Sequence, residues 1–253
     1  MLQVKKKYKA LIFDCDGTII PNQMNGLPSI AVSDAIEKIS KKIHVGIATS
    51  RPLFLAAPIM KHLKLSGPSI ISGGAQIIDG KSFKVLKEQE IEKDDMFAVI
   101  SVFKKFNLKY YAQNGSKRDK DMAPDLILDK IIQVAVMNLD MDTADKVLDD
   151  LSKIEGISAH KIVSWQKDKR DINITHVLAT KHHGILEVAR VLKIDTKEII
   201  GVGDSYNDFP LLMACGLKVA MGNAVQELKE IADYIAPTVE DDGAVDVINK
   251  FVL

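Results

Sequence analysis

KALIFDCDGTII (residues 9–20) is an apolar run that stops at two acids. A run of this length bounded by turn residues reads as a buried strand, which places Asp14 and Asp16 where the chain leaves the core. Open α/β sheets carry their chemistry at that end of the strand. Alternate residues of a strand share a face, and a turn after Asp14 lets both carboxylates reach one pocket in different roles, one attacking and one handling a proton. Gly17 allows backbone N–H groups to converge on an anion, and Thr18 adds a hydroxyl. Phosphate is the visitor that this chemistry suits. Cys15 points away from the acids' face if the strand persists, so it is expected to be a small packed residue. A plain Asp turn would use the same residue types, and the rest of the chain decides between the two.

Two further segments, HVGIA (44–48) and EIIGVG (198–203), look like buried parallel strands that lead into polar residues. Between the first two strands, residues 29–42 have apolar positions at helical spacing, with Ser33 and Glu37 suiting an early turn. Strand, helix, strand implies a right-handed crossover into a parallel sheet. Pro52 opens a helix to about Leu65, and PSIIS (68–72) is a strand ending at Gly73-Gly74.

The middle changes character. Residues 75–87 read as a hairpin around Asp79-Gly80, 92–106 as a helix, 108–113 as a strand and 114–124 as an exposed polar loop. A strand at 131–139, a helix at 142–154 and strands near 157–165 and 170–177 follow. Hairpins mixed with helices indicate an antiparallel sheet in a separate layer. The α/β pattern resumes near Lys181, with a helix at 184–194, the strand EIIGVG, a helix at 208–213, strands at 217–222 and 234–238, and a last helix at 243–251. The core is therefore expected to be split, residues 1–75 plus 178–253, around an inserted α+β domain of residues 76–177.

With 34 basic and 34 acidic residues among 253, the chain has no net charge to draw it to nucleic acid or an anionic membrane. The partner is expected to be small. The basic opening VKKKYK (4–9) reads as a solvated terminus. Cys15 and Cys215 are too few for a disulfide framework, no apolar run approaches a membrane span, and a signal-peptide core is missing, so the expected location is cytoplasmic.

GVGDSYNDFPLL (201–212) again ends an apolar strand with acids, Asp204 and Asp208, with Asn207 beside the second. Hard divalent cations take oxygen ligands, and Mg2+ keeps waters while borrowing a few carboxylates. Asp14, Asp204 and Asp208, with a backbone carbonyl near Asp16, are the candidate ligands. Thr49, Ser50 and Arg51 end HVGIA, where hydroxyls and N–H groups at a helix start suit a phosphate oxygen; a helix cap with an exposed Arg51 is the plainer alternative. Lys181 can neutralise a transferring phosphoryl group and keep the attacking acid ionised. The adjacent His182 and His183 tend to point apart, which does not suit a shared metal.

FDCDGT (13–18), Thr49, Lys181 and GDSYND (203–208), in this order and spacing, resemble the four motifs of the haloacid dehalogenase-like hydrolases. SGGA (72–75), MGNA (221–224) and EDDGA (240–244) are similar to stretches of its Cof-type, type IIB branch. The resemblance implies a three-layer Rossmann-like parallel-sheet core with a C2B cap between the second and third motifs. It further implies that Asp14 is a nucleophile forming an aspartyl-phosphate and that Asp16 serves as acid, then base. Thr49 and Lys181, joined by Ser50 and Asn207 as candidates, would hold the phosphoryl group, and Asp14, Asp16, Asp204 and Asp208 would hold Mg2+. The expected activity is hydrolysis of small phosphate monoesters such as sugar phosphates. A phosphomutase is the nearest rival, and a non-catalytic phosphometabolite-binding regulator would be expected to lack Asp14 or Asp16. Lys117, Arg118 and Trp165 lie in the cap, where a charged loop and a packed aromatic are the favoured readings.

Overall fold

Every residue of β1 (Ala10–Phe13) is fully buried, as an apolar run flanked on both faces by helices requires. In the computed structural model, which describes residues 8–114, 117–120 and 130–253, α1 (Ile30–Ile39) carries the chain to β2 (His44–Ile47). From there α2 (Leu53–His62) leads to β3 (Pro68–Ile71), and the hairpin β4 (Gln76–Asp79) and β5 (Val85–Glu88) follows. The second layer consists of α3 (Lys93–Lys105), β6 (Tyr111–Asn114), β7 (Lys117–Lys120), β8 (Gln133–Leu139), α4 (Met141–Leu151), β9 (Ile157–Val163) and β10 (Arg170–His176). Finally α5 (Lys181–Leu192), β11 (Ile199–Gly203), α6 (Phe209–Ala214), β12 (Leu217–Ala220), α7 (Gln226–Ile231), β13 (Tyr234–Ile235) and α8 (Gly243–Phe251) complete the core.

The core sheet is parallel, in the order β13-β12-β11-β1-β2. Alternation along β1 divides its side chains between two layers. Leu11 and Phe13 pack with Ile36 of α1, Ile59 of α2 and Val247 of α8. Ala10 and Ile12 pack with Ile185 of α5, Leu212 of α6 and Leu228 of α7. The three-layer expectation therefore holds. The cap is a separate antiparallel sheet, β7-β6-β8-β10-β9. Val134, Val136, Ile172 and Ile174 turn one face of it toward Val99 and Phe103 of α3 and Val147 of α4.

Some local expectations change. The hairpin expected at 75–87 was assigned from residue 76 onward to the cap, but β4 pairs with β3, and Ile77 and Ile78 are buried with the core residues. A strand that follows a tight turn finds its predecessor first, and β3 in turn bridges the core through Ala48 and Ile70. Part of the expected 114–124 loop is β7, paired with β6; Asn114-Gly115 is a hairpin signal, and 115–116 and 121–124 lie outside the described residues. So do residues 4–7 of the basic opening. Helix α1 is capped by Ser29, whose Oγ accepts from Val32 N at 3.1 Å, while Ser33 Oγ donates back to Ser29 O at 2.8 Å. Helix α5 begins at Lys181, three residues ahead of the expected start at 184. Among the described residues no helix is long and apolar enough to cross a membrane.

The turn after β3 runs beside the segment that returns from the cap to the core. Gly73 and Gly74 have φ of 70° and 117°, and a Cβ on Gly74 would lie 2.4 Å from the Thr180 backbone. Thr180 caps α5 directly before Lys181, so this contact sets the height of the lysine. Gly74→Ala is expected to destabilise the protein by more than about 1 kcal/mol, read from the urea midpoint; an unchanged midpoint would contradict the packing described.

Candidate active site

Phe13 pairs with Val202, and Asp14 N donates to Val202 O at 2.8 Å, so the acids after β1 and β11 emerge together. This is where the strand order reverses, the place where open sheets leave a crevice. Gly17 has φ of 80°, and a Cβ there would lie 2.2 Å from Asp204 Oδ2. Glycine is thus what admits the Asp204 carboxylate. The other expectations for this turn change: Gly17 N–H donates to Ile20 O at 2.7 Å rather than to an incoming anion, and Thr18 Oγ1 donates to Asp204 Oδ1 at 3.3 Å. Asn223, unremarked beyond its MGNA context, donates to Gly17 O at 2.8 Å and fixes the turn from outside. Cys15 is fully buried, as expected, and burial pushes its thiol pKa up.

Lys181 is 2% exposed, and its Nζ donates to Asp14 Oδ1 at 2.6 Å and to Asp208 Oδ1 at 2.5 Å. A cation in the first turn opposes the helix dipole by about 0.3–1 kcal/mol. Breaking a buried pair costs about 3–5 kcal/mol, so the carboxylates decide its position. Burial works against the ammonium, but Asp14 and Asp208 together hold its pKa above the ordinary value. Asp208 is fully buried, and its Oδ2 accepts from the Asp204 and Ser205 backbone N–H groups, each at 3.0 Å. Both its oxygens are engaged, so it orients the Asp204 loop and the lysine.

Asp14, Asp204 and Asp208 each bring a carboxylate oxygen within 4.8 Å of the others. Burial, then the neighbouring acid Asp208, raises Asp14 to about 7 against the opposing pull of Lys181; the same causes raise Asp204 well above its usual range. Counted formally, the carboxylates of Asp14, Asp16, Asp204 and Asp208 face two cations, Lys181 and Arg51. An all-oxygen donor set with excess negative charge fits a hard divalent cation.

Asp16 is held differently. Arg51, expected exposed in the plainer reading, is 4% exposed and binds Asp16 through both ends of its fork, Nε to Oδ2 at 2.8 Å and Nη2 to Oδ1 at 2.6 Å. Its remaining reach goes to the carbonyls of Met24 and Gln23 at 2.7 and 2.9 Å. Trp165 is not merely packed: its Nε1 donates to Asp16 Oδ1 at 3.1 Å from across the cap, and Arg51 lies 5.4 Å from its ring centroid. The cap thereby touches the second acid directly.

Asp14, Asp16, Thr49, Ser50, Asp204 and Asn207 line one small cavity of about 30 Å3. Asn207 Nδ2 donates to Ser50 Oγ at 3.1 Å, and its buried Oδ1 has no partner among the described residues. Thr49 Oγ1 accepts the Arg51 N–H at 3.1 Å. Lys181 lies in an adjoining recess with Ser50 and Asn207. The structure therefore gathers the candidate residues, with Asp208 beneath the floor. His182 and His183 stay outside the acid cluster, and the side chains of Lys117 and Arg118 lie outside the described residues. The sequence reading missed Gln133 and Asn173, which face the core from the cap and are nearly buried. Their signal was alternation, with Asn173 set between Ile172 and Ile174.

Fold and site together define a capped α/β enzyme scaffold with carboxylates at the sheet's switch point. The family model of haloacid dehalogenase-like hydrolases matches residues 11–248, and the chain belongs to that family. It is 28% identical over 247 residues to the 5-amino-6-(5-phospho-D-ribitylamino)uracil phosphatase YcsE of Bacillus subtilis, covering 97% of this chain and 96% of that one. It is 26% identical over 248 residues to a phosphoglycolate phosphatase of Methanopyrus kandleri, covering 96% of each. In structure it is similar to the phosphatase BT1666 of Bacteroides thetaiotaomicron, with a TM-score of 0.80, 20% identity, and coverage of 99% of this chain and 97% of that one.

Removing Lys181 leaves acids buried without their cation. Lys181→Met is expected to cost roughly 3–5 kcal/mol at pH 8 and less at pH 5. The sign follows from linkage: carboxyls whose folded pKa lies above the unfolded value contribute stability at low pH that is lost as pH rises through the folded value. Urea unfolding at both pH values checks this, and an equal loss at both would contradict it.

Proposed function

We propose that the chain is a Mg2+-dependent phosphatase of small phosphate monoesters working through an aspartyl-phosphate on Asp14. The observation that carries this is the Lys181 contact with Asp14 in the midst of the acid cluster, because it orients a buried carboxylate while offsetting its charge. Lys181 holds Oδ1. Oδ2, with no hydrogen-bond partner among the described residues, attacks phosphorus, and the bond from phosphorus to the alcohol oxygen breaks. Asp16 gives its proton to that oxygen. It then takes a proton from water, which attacks phosphorus, breaks the bond to Asp14 and releases inorganic phosphate. Since Asp16 accepts three hydrogen bonds, one of them yields when the substrate oxygen arrives. Thr49, Ser50, Asn207 and Lys181 contact the phosphoryl oxygens. Asp14, Asp204 and the Asp16 carbonyl would hold Mg2+, with Asp208 behind them. The ion supplies positive charge that lowers the repulsion between two anions.

The relatives' names range from a uracil-bearing phosphate to phosphoglycolate, so they support phosphate ester hydrolysis without selecting the alcohol. A chelator should abolish phosphate release and Mg2+ should restore it, with alcohol and phosphate formed in equal amounts; phosphoryl return to a sugar would instead mark a phosphomutase.

Asp14→Asn is expected to lower turnover by about three orders of magnitude or more while the near-ultraviolet circular dichroism stays native. Near-normal turnover would remove Asp14 as nucleophile. With Asp14 near 7, protons compete with the cation below that pH. Mg2+ affinity measured by calorimetry should be about ten-fold tighter at pH 8 than at pH 6, and equal affinities would contradict the ligand assignment.

A further inference from the structure

A cavity of about 120 Å3 opens beside Asp16, walled by Leu55 of the core and by Tyr111, Met137, Ile162 and Trp165 of the cap. A dry cavity of about 150 Å3 accommodates benzene, so this space is on the scale of a single ring. Its charged lining residues are Asp16, Asp171 and Arg51. Arg51 is committed to Asp16 in bidentate fashion, and Asp171 Oδ1 accepts from Asn138 N at 2.8 Å. Among the described residues no lining cation is left to meet a second anion, and the surplus charge is negative.

The polar end of the cavity is a pair of amides. Gln133 Nε2 donates to Ser50 O at 2.9 Å and to Asn173 Oδ1 at 2.8 Å. A backbone carbonyl only accepts, which fixes the orientation of both amides. Gln133 Oε1 and Asn173 Nδ2 remain, one acceptor and one donor without partners among the described residues, on side chains 4% and 7% exposed. Side chains this buried gain when a ligand completes their hydrogen bonds.

We infer that the leaving alcohol carries a single planar ring of no net charge, held between the apolar walls, with an edge that both donates to Gln133 and accepts from Asn173. The inference rests on the phosphatase reading of the same site and names its substrate class. Anionic leaving groups such as glycolate are disfavoured.

The test compares kcat/KM for pyridoxine 5′-phosphate, whose ring hydroxyls donate and accept, with benzyl phosphate, whose ring edge does neither, and with phosphoglycolate. Pyridoxine 5′-phosphate is expected to exceed phosphoglycolate by about ten-fold or more. Asn173→Leu should lower its kcat/KM by about ten-fold more than that of benzyl phosphate. Phosphoglycolate as the best of the three, or an equal loss on both ring esters in Asn173→Leu, overturns the inference and leaves the phosphatase reading intact. If none of the three releases phosphate, the phosphatase reading fails for these esters. Calorimetric binding to Asp14→Asn then decides the inference: tightest binding of pyridoxine 5′-phosphate supports it, and tightest binding of phosphoglycolate or equal binding of all three overturns it.

Discussion

Lys181 sits between two buried carboxylates, and the rest of the site is arranged around that contact. The ammonium reaches Asp14 from the first turn of α5, on the far side of the cap insertion from β1. Asp208 holds the same ammonium while its other oxygen binds the two backbone N–H groups that aim the Asp204 loop. One positive charge thus ties the segments after β1 and β11 to the start of α5. The acids still outnumber their cations, which is why burial raises Asp14 and Asp204 and why a divalent ion belongs here.

The cap meets this floor through polar contacts. Asn22 Nδ2 donates to Ser164 O at 3.0 Å, Gln113 Nε2 to Ser72 Oγ at 3.2 Å, Gln133 to Ser50 O and Trp165 to Asp16. Each such bond contributes only about 0.5–1.5 kcal/mol net, since water replaces it on separation. The apolar face of the cap sheet is spent on α3 and α4. A seam of this kind separates more easily than a hydrophobic one of equal area, which suits a cavity that must admit and release a small molecule.

Much of this was legible in the sequence because strand ends announce themselves. ALIF running into Asp14 and IIGVG running into Asp204 gave both the parallel core and the acids, and burial of those strands bears out the reading. Long-range side-chain partnerships were not legible. Arg51 looked like an exposed cap residue because its partner Asp16 lies 35 positions away, and Trp165 looked like packing because its indole N–H finds the same carboxylate 149 positions away. Asn173 and Gln133 carried a signal, polar positions alternating with buried aliphatic ones, but which sheet face met the core depended on how the cap folds back. The hairpin expected at 75–87 was misplaced for a related reason: composition shows that a hairpin exists, not which sheet it joins.

The central claim is that Asp14 takes up the phosphoryl group. Rapid acid quenching during turnover, followed by peptide mass spectrometry, tests it most directly. The account predicts a phosphoryl adduct on the Asp14 side chain that disappears in Asp14→Asn. An adduct on Thr49 or Ser50 instead would contradict it.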